Sequence, residues 1–330
     1  MAKDTMKAVV FKEPHVVAIE DRPIPKIREP TDVIVKVIYT ALCGSELHVF
    51  RGHQPSPTGF IMGHEFTGTV EETGSDVKNF EKGDQIVSPF TVSCGECFYC
   101  KQGYSSRCAK GALFGTAGLD GAQAEYVRVP LADSTAMKAP EGIADNALVL
   151  MADIFPTGCF AADNAFKDLT EEQISEATVV LIGCGPVGLC ALINAENYKP
   201  KHLLAVDSIQ SRLDLAKSLG AEPWNFQTDW EGLDKRVKEL TGGRGADVVI
   251  GMSPAFVQAS GNQAYGKNLR IQMGRCPVRS IFPQALDMLK KKQHLLGFMS
   301  DKIMPMSEAV EGYDLFDKMK VQKVVFEAQK

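Results

Sequence analysis

The chain has 330 residues, 45% hydrophobic and 23% charged, with a formal net charge of −5. That length suggests two domains, and a mildly acidic chain without a Lys/Arg run gives no support for nucleic-acid or membrane-surface binding. No stretch approaches the ~20 apolar residues that span a bilayer, and Met1-Ala2-Lys3-Asp4 lacks a signal-peptide core, so the nine cysteines are expected as cytoplasmic thiols and metal ligands.

Residues 6 to about 150 read as all-β. Short alternating runs such as Val33–Ile38 and Gln85–Val87 are separated by Gly, Pro and Asp turns, with Gly74–Asp84 as one loop. Inside this half stand Cys94, Cys97, Cys100 and Cys108, spaced Cys-x2-Cys-x2-Cys-x7-Cys. The residues between them have no helical or strand period. Four thiolates so close can close a tetrahedron around one soft cation, zinc above all; disulfides or an inert buried set are the alternatives. A closed four-sulfur site has no position for substrate and would be structural.

After Pro156 the pattern changes. Thr178–Ile182 is a continuous apolar run, as expected for a strand buried on both faces of a parallel sheet. A helix through Leu189–Ile193 follows, then a strand Leu203–Val206 and a helix Ser211–Leu219. A helix Leu233–Leu240 and a strand Asp247–Ile250 come next. Alternating β and α at this spacing predicts right-handed βαβ units in a doubly wound sheet. Beyond about Ile281 the chain changes again, with an amphipathic helix at Pro283–Lys292 and a strand at Lys323–Phe326.

Gly183-Cys184-Gly185-Pro186-Val187-Gly188 fits G-x-G-x-x-G between the first of these strands and its helix, with Asp207 19 positions after Gly188. The glycines permit a tight turn and close backbone approach, and a helix N-terminus favours pyrophosphate. Asp207 would accept hydrogen bonds from ribose hydroxyls and repel a 2′-phosphate, which favours NAD(H). The alternative is a glycine-rich turn without a ligand.

Cys43-Gly44-Ser45-Glu46-Leu47-His48 follows a strand, and Gly63-His64-Glu65 precedes another. These segments, Gly63–Val70, the four cysteines and the glycine loop occur in an order that resembles the zinc-dependent alcohol dehydrogenases of the medium-chain dehydrogenase/reductase superfamily over nearly the whole chain. The resemblance implies a GroES-like β-barrel catalytic domain (1–155 and 280–330) and a doubly wound Rossmann domain (156–279) that is shortened after residue 250.

It further implies that Cys43, His64 and Asp153 hold a catalytic zinc and that Cys94, Cys97, Cys100 and Cys108 hold a structural one. Asp153 stands where some members have cysteine. Glu65 matches an acidic neighbour of the metal, and Ser45 and His48 match a proton relay. The implied NAD contacts are Gly183, Gly185, Pro186, Val187, Gly188, Asp207 and Arg212, with Thr157 at the nicotinamide and Lys323 at the pyrophosphate. The implied activity is alcohol–carbonyl interconversion with NAD(H) by a cytoplasmic homo-oligomer, a dimer or tetramer. A polyol or amino-alcohol dehydrogenase, or a non-catalytic zinc-bearing scaffold, are the alternatives.

The residues read for themselves leave other roles open. Asp153 would serve as a helix-start cap, and His48 as a satisfied loop histidine. His15, His53, His202 and His294 have no convergent partners in sequence. Phe60, Phe90, Phe114 and Phe155 suit either an apolar pocket or the core, the core more so.

The pattern breaks after Ile250. From Gly251 through Asn268 to Leu269–Met273 there is no room for the expected strand and full helix, since a crossover takes about 10–12 residues or more. Either Leu269–Met273 fills the vacant strand position, or the cofactor domain is compromised and NAD binds poorly.

Overall fold

The computed structural model describes residues 4–251 and 261–330. The chain forms two compact units, one of residues up to Pro156 and from Pro277 to Lys330, the other Thr157–Cys276.

The first unit contains β1 (Thr5–Glu13), β2 (Val16–Pro23), β3 (Val33–Ala41), β4 (Glu65–Thr73), β5 (Gln85–Ser88), β6 (Tyr126–Val129) and β7 (Met137–Lys138). The second contains β8 (Thr178–Ile182), β9 (His202–Asp207), β10 (Glu222–Asn225) and β11 (Val248–Gly251). The chain then returns to the first unit with β12 (Ile303–Pro305) and β13 (Val325–Glu327).

In the first unit β1 and β2 form a hairpin, and the other strands make a seven-stranded sheet ordered β12-β13-β3-β4-β5-β7, with β6 also on β3. β3 is central, so most of its residues are buried and its alternation is imperfect. Its core packs Val33, Val35 and Val37 with Phe66, Ile86, Phe114 and Phe326. Register matters most at one end. Ala41 pairs with both Glu65 and Val325. The chain just after β3, just before β4 and just before β13 therefore comes together, carrying Cys43, His64 and Lys323.

The second unit is a parallel sheet ordered β10-β9-β8-β11. β8 is almost wholly buried, as its apolar run requires. The order reverses at β8, which places the glycine loop at the switch point of the sheet. The helices Pro186–Ala195, Gln210–Ser218 and Trp230–Leu240 follow their strands.

Two expectations are corrected here. The helix expected at Pro283 begins at Val278, so Pro283 lies inside it. Leu269–Met273 is not a strand, and Leu269, Ile271 and Met273 are exposed. The one helix described between β11 and that stretch, Gly261–Gly266, has six residues, too short for a usual crossover. Half of the segment read as shortened (251–268), residues 252–260, lies outside the described residues. β11 is thus an edge strand of the described sheet, with Val249 exposed.

Candidate metal centres and cofactor loop

Cys43, His64, Glu65 and Asp153 present one donor atom each within 4.8 Å of one another. Cys43 is the N-cap of the helix Gly44–Phe50, directly after β3. His64 enters β4 from Gly63, whose φ of 99° is a left-handed conformation that favours glycine. Asp153 precedes the helix Ile154–Phe166, and the Ala152 carbonyl accepts from the Phe90 amide at 3.0 Å. A position at a helix start and a place in the cluster are therefore compatible for Asp153.

The His64 Nε2 lies 3.3 Å from Asp153 Oδ2, and Cys43 Sγ lies 3.7 Å from the same oxygen. The Phe90 ring stands edge-on to His64 at 6.1 Å. Phe60 and Phe114 pack on Phe11 and Phe66, and Phe155 is fully buried.

The electrostatics describe a site short of positive charge. Burial, then Glu65 and Asp153, pushes the Cys43 thiol up. Burial pushes Glu65 up to about 7, with Lys323 pulling against it and Asp153 adding to it. Burial opposes charging of His64, but Glu46 and the hydrogen bonds with Asp153 and Cys43 hold it well above its ordinary value. A sulfur, an imidazole and two carboxylates crowded out of water suit a divalent cation, whose charge would offset their repulsion. The donor set fits zinc.

Glu46 is the site residue that the sequence reading missed. It is buried and its Oε1 lies 3.5 Å from the His64 Nδ1. Its Oε2 accepts from the Cys43 amide at 2.9 Å, closing a capping box. The available signal was the Cys-x-x-Glu spacing, a cap with an acidic residue three positions on.

Lys323 is buried in the first unit, and its Nζ donates to both oxygens of Glu65 at 2.7 and 2.6 Å. Ser45 and His48 are exposed on the helix Gly44–Phe50. His53 has a neighbour after all, since its ring lies 6.2 Å from that of His48.

Cys94, Cys97, Cys100 and Cys108 also gather within 4.8 Å. All nine cysteines are free thiols, and these four are half-buried, so they are neither disulfides nor an inert core set. Cys97 and Cys108 sulfurs are 4.0 Å apart, close to the ~3.8 Å edge of a tetrahedron with Zn–S of about 2.3 Å. Backbone amides of Cys94 and Lys110 donate to Cys108 Sγ, and that of Cys97 donates to Cys94 Sγ. Amides from Ala109 and Cys100 lower the Cys97 thiol to about 6. The donor chemistry again fits zinc.

In the second unit Gly183 has φ 95°, Gly185 caps the helix Pro186–Ala195, and Pro186 is its first residue. A Cβ on Gly188 would lie 1.8 Å from the Gly183 carbonyl oxygen, so only glycine fits there. Val187 belongs to the same first turn. Asp207 ends β9 and is already engaged. Its Oδ2 accepts from the Cys184 amide at 2.7 Å, and its Oδ1 accepts from Ser208 and Ile209 at 2.7 and 2.9 Å. A carboxylate offers about four acceptor sites, which leaves one for a ribose hydroxyl. Arg212 Nη1 stands 3.9 Å from Asp207. Thr157 lies partly exposed in the first turns of the helix Ile154–Phe166. This loop fits a dinucleotide.

Residues 29–141 match the family Alcohol dehydrogenase GroES-like domain, and residues 186–300 match the family Zinc-binding dehydrogenase. The chain is 68% identical to zinc-type alcohol dehydrogenase B of Aspergillus flavus over 351 aligned residues, covering 99% of this chain and 82% of that protein. That span exceeds the 330 residues of this chain, so the relative has residues without a counterpart here. The fold is similar to alcohol dehydrogenase TADH from Thermus sp. ATN1, with TM-score 0.86, 29% identity and coverage of 98% and 99% of the two chains. It is equally similar to zinc dependent alcohol dehydrogenase 2 from Streptococcus pneumonia, with TM-score 0.85, 32% identity and the same coverages. With both family matches, this fold and that relative agreeing, the chain belongs to the zinc-type alcohol dehydrogenases of the medium-chain dehydrogenase/reductase superfamily.

Proposed function

We propose that the chain interconverts an alcohol and its aldehyde or ketone with NAD(H), at a zinc site formed by Cys43, His64 and Asp153. The observation that carries this reading is the convergence of those three donors, two buried and Asp153 half-buried, from three separate segments. Zinc there would act as a Lewis acid that makes an alcohol more acidic, and NAD would accept its hydride.

The chain's own residues do the rest. Cys43, His64 and Asp153 bind and orient, with Glu65 held beside them by Lys323. Phe90 packs against the His64 ring and helps fix its place. Ser45 Oγ takes the hydroxyl proton and the His48 imidazole delivers it to solvent from an exposed helix face. Gly183, Gly185, Pro186, Val187 and Gly188 hold the pyrophosphate, Asp207 with Arg212 the adenosine ribose, and Thr157 the nicotinamide. A second zinc at Cys94, Cys97, Cys100 and Cys108 is structural, because four sulfurs leave no open position. The reading also includes a cytoplasmic homo-oligomer, a dimer or tetramer, acting on a small alcohol or carbonyl compound.

The test combines metal analysis, NADH titration and a screen of alcohols, aldehydes and ketones. Two zinc ions per chain, saturable NADH binding, and turnover that Cys43→Ala abolishes are expected. Zinc and NADH binding with no turnover of any substrate would overturn the enzymatic reading.

A further inference from the structure

A line of buried polar side chains leads from His64 into the core of the first unit. Glu46 Oε1 faces the His64 Nδ1 at 3.5 Å. Gln123 Nε2 donates to both Glu46 oxygens at 3.3 Å. The Tyr313 hydroxyl donates to Gln123 Oε1 at 2.8 Å. Gln123 and Tyr313 are both 0% exposed and Glu46 is 5% exposed. The three residues come from the helix Gly44–Phe50, the loop before β6, and the helix Ala309–Asp317.

The line has a direction. A carboxylate only accepts, so the Gln123 amide must turn its NH2 to Glu46 and its carbonyl inward. A buried carbonyl then needs a donor, and the Tyr313 hydroxyl supplies it. Burial, then the nearby Glu46 charge, pushes the Tyr313 phenol well up, which keeps that proton in place. At the other end the His64 Nδ1 faces the Glu46 carboxylate, and its Nε2 faces Asp153.

The backbone fixes Gln123 as well. Its amide donates to the Met62 carbonyl and that of Ala122 to Gly63, both at 2.9 Å. A Cβ on Gly63 would sit 2.5 Å from the Gln123 nitrogen. The residue before His64 is thus pressed against Gln123.

A plain core would not need this. The Tyr313 ring packs on Phe50 with centroids 5.2 Å apart, and phenylalanine would bury the same ring without a partner. We propose that Gln123 and Tyr313 are positioning residues for the metal site: they fix the Glu46 carboxylate and, through it, the tautomer and ring orientation of His64. This rests on the reading of Cys43, His64 and Asp153 as metal ligands.

The test uses the full chain and two variants, Gln123→Met and Tyr313→Phe. Zinc affinity is measured by chelator competition, with the four-cysteine site resolved separately, and the cobalt-substituted site is followed by its visible spectrum. Gln123→Met should raise the zinc Kd of the Cys43 site about 10–100-fold, in the range of outer-shell changes, and shift the cobalt bands. Tyr313→Phe should move both in the same direction by a smaller factor, ~3-fold or more. The four-cysteine site should be unmoved.

Variants that lower Tm while leaving Kd and the cobalt spectrum at parent values would show a packing role and overturn the proposal. If Gln123→Met fails to fold, an unchanged Kd in Tyr313→Phe is sufficient to overturn it. A parent chain that takes no metal at Cys43, His64 and Asp153 overturns the site reading itself, which is a distinguishable result.

Discussion

Lys323→Met removes one partner of the most deeply buried ion pair in the described residues. Both side chains are 0% exposed and the ammonium meets both Glu65 oxygens. Met retains most of the stem volume, so the main loss is charge. It leaves Glu65 buried beside Asp153 and Cys43 without its ammonium partner, and breaking such a pair typically costs ~3–5 kcal/mol. For a unit of this size that corresponds to a fall in Tm on the order of 10 °C. Both tryptophans, Trp224 and Trp230, belong to the other unit, so their emission reports on the wrong part of the chain. Hydrogen exchange of the β3 and β13 amides, in chelator-treated protein, reads the right one. Glu65→Gln alone should also destabilise. The double variant should cost less than the two single changes together, by ~1–3 kcal/mol, because it leaves no orphaned charge. If Lys323→Met left exchange unchanged but weakened NADH binding, the ammonium would serve the cofactor and the pairing argument would fail.

Gly188→Ala puts a Cβ 1.8 Å from the Gly183 carbonyl oxygen; backbone cannot yield cheaply, so calorimetry should show NADH affinity lower by an order of magnitude or more (~1–3 kcal/mol), and an unchanged Kd would refute the tight-turn role. Asp207→Ala should orphan the Cys184, Ser208 and Ile209 amides, weaken NADH about tenfold, roughly one charge-assisted hydrogen bond, and narrow the preference over NADPH. Equal loss for both cofactors would refute its discriminating role. Cys97→Ser should halve the zinc content by metal analysis and lower Tm, while any residual turnover keeps its KM; a large KM change would give that lobe a part in substrate binding.

Which parts were legible in the sequence follows from how local their causes are. The glycine loop was legible because its constraint lies within six residues, between a buried strand and a helix start. The four cysteines were legible because one short loop holds every donor. Cys43, His64 and Asp153 were found only through resemblance, because the pairing of Ala41 with both Glu65 and Val325 brings their surroundings together. No local period encodes that register. Lys323 shows the same limit. The resemblance put it at a pyrophosphate, and only its position two residues before β13 shows that it also meets Glu65. Glu46 was missed although it stands in the segment that was quoted. Its second task, facing His64, depends on residue 123, which the chain supplies 77 positions later. The ligands of this site and the groups that orient them are alike set by tertiary pairing, and there a single sequence says least.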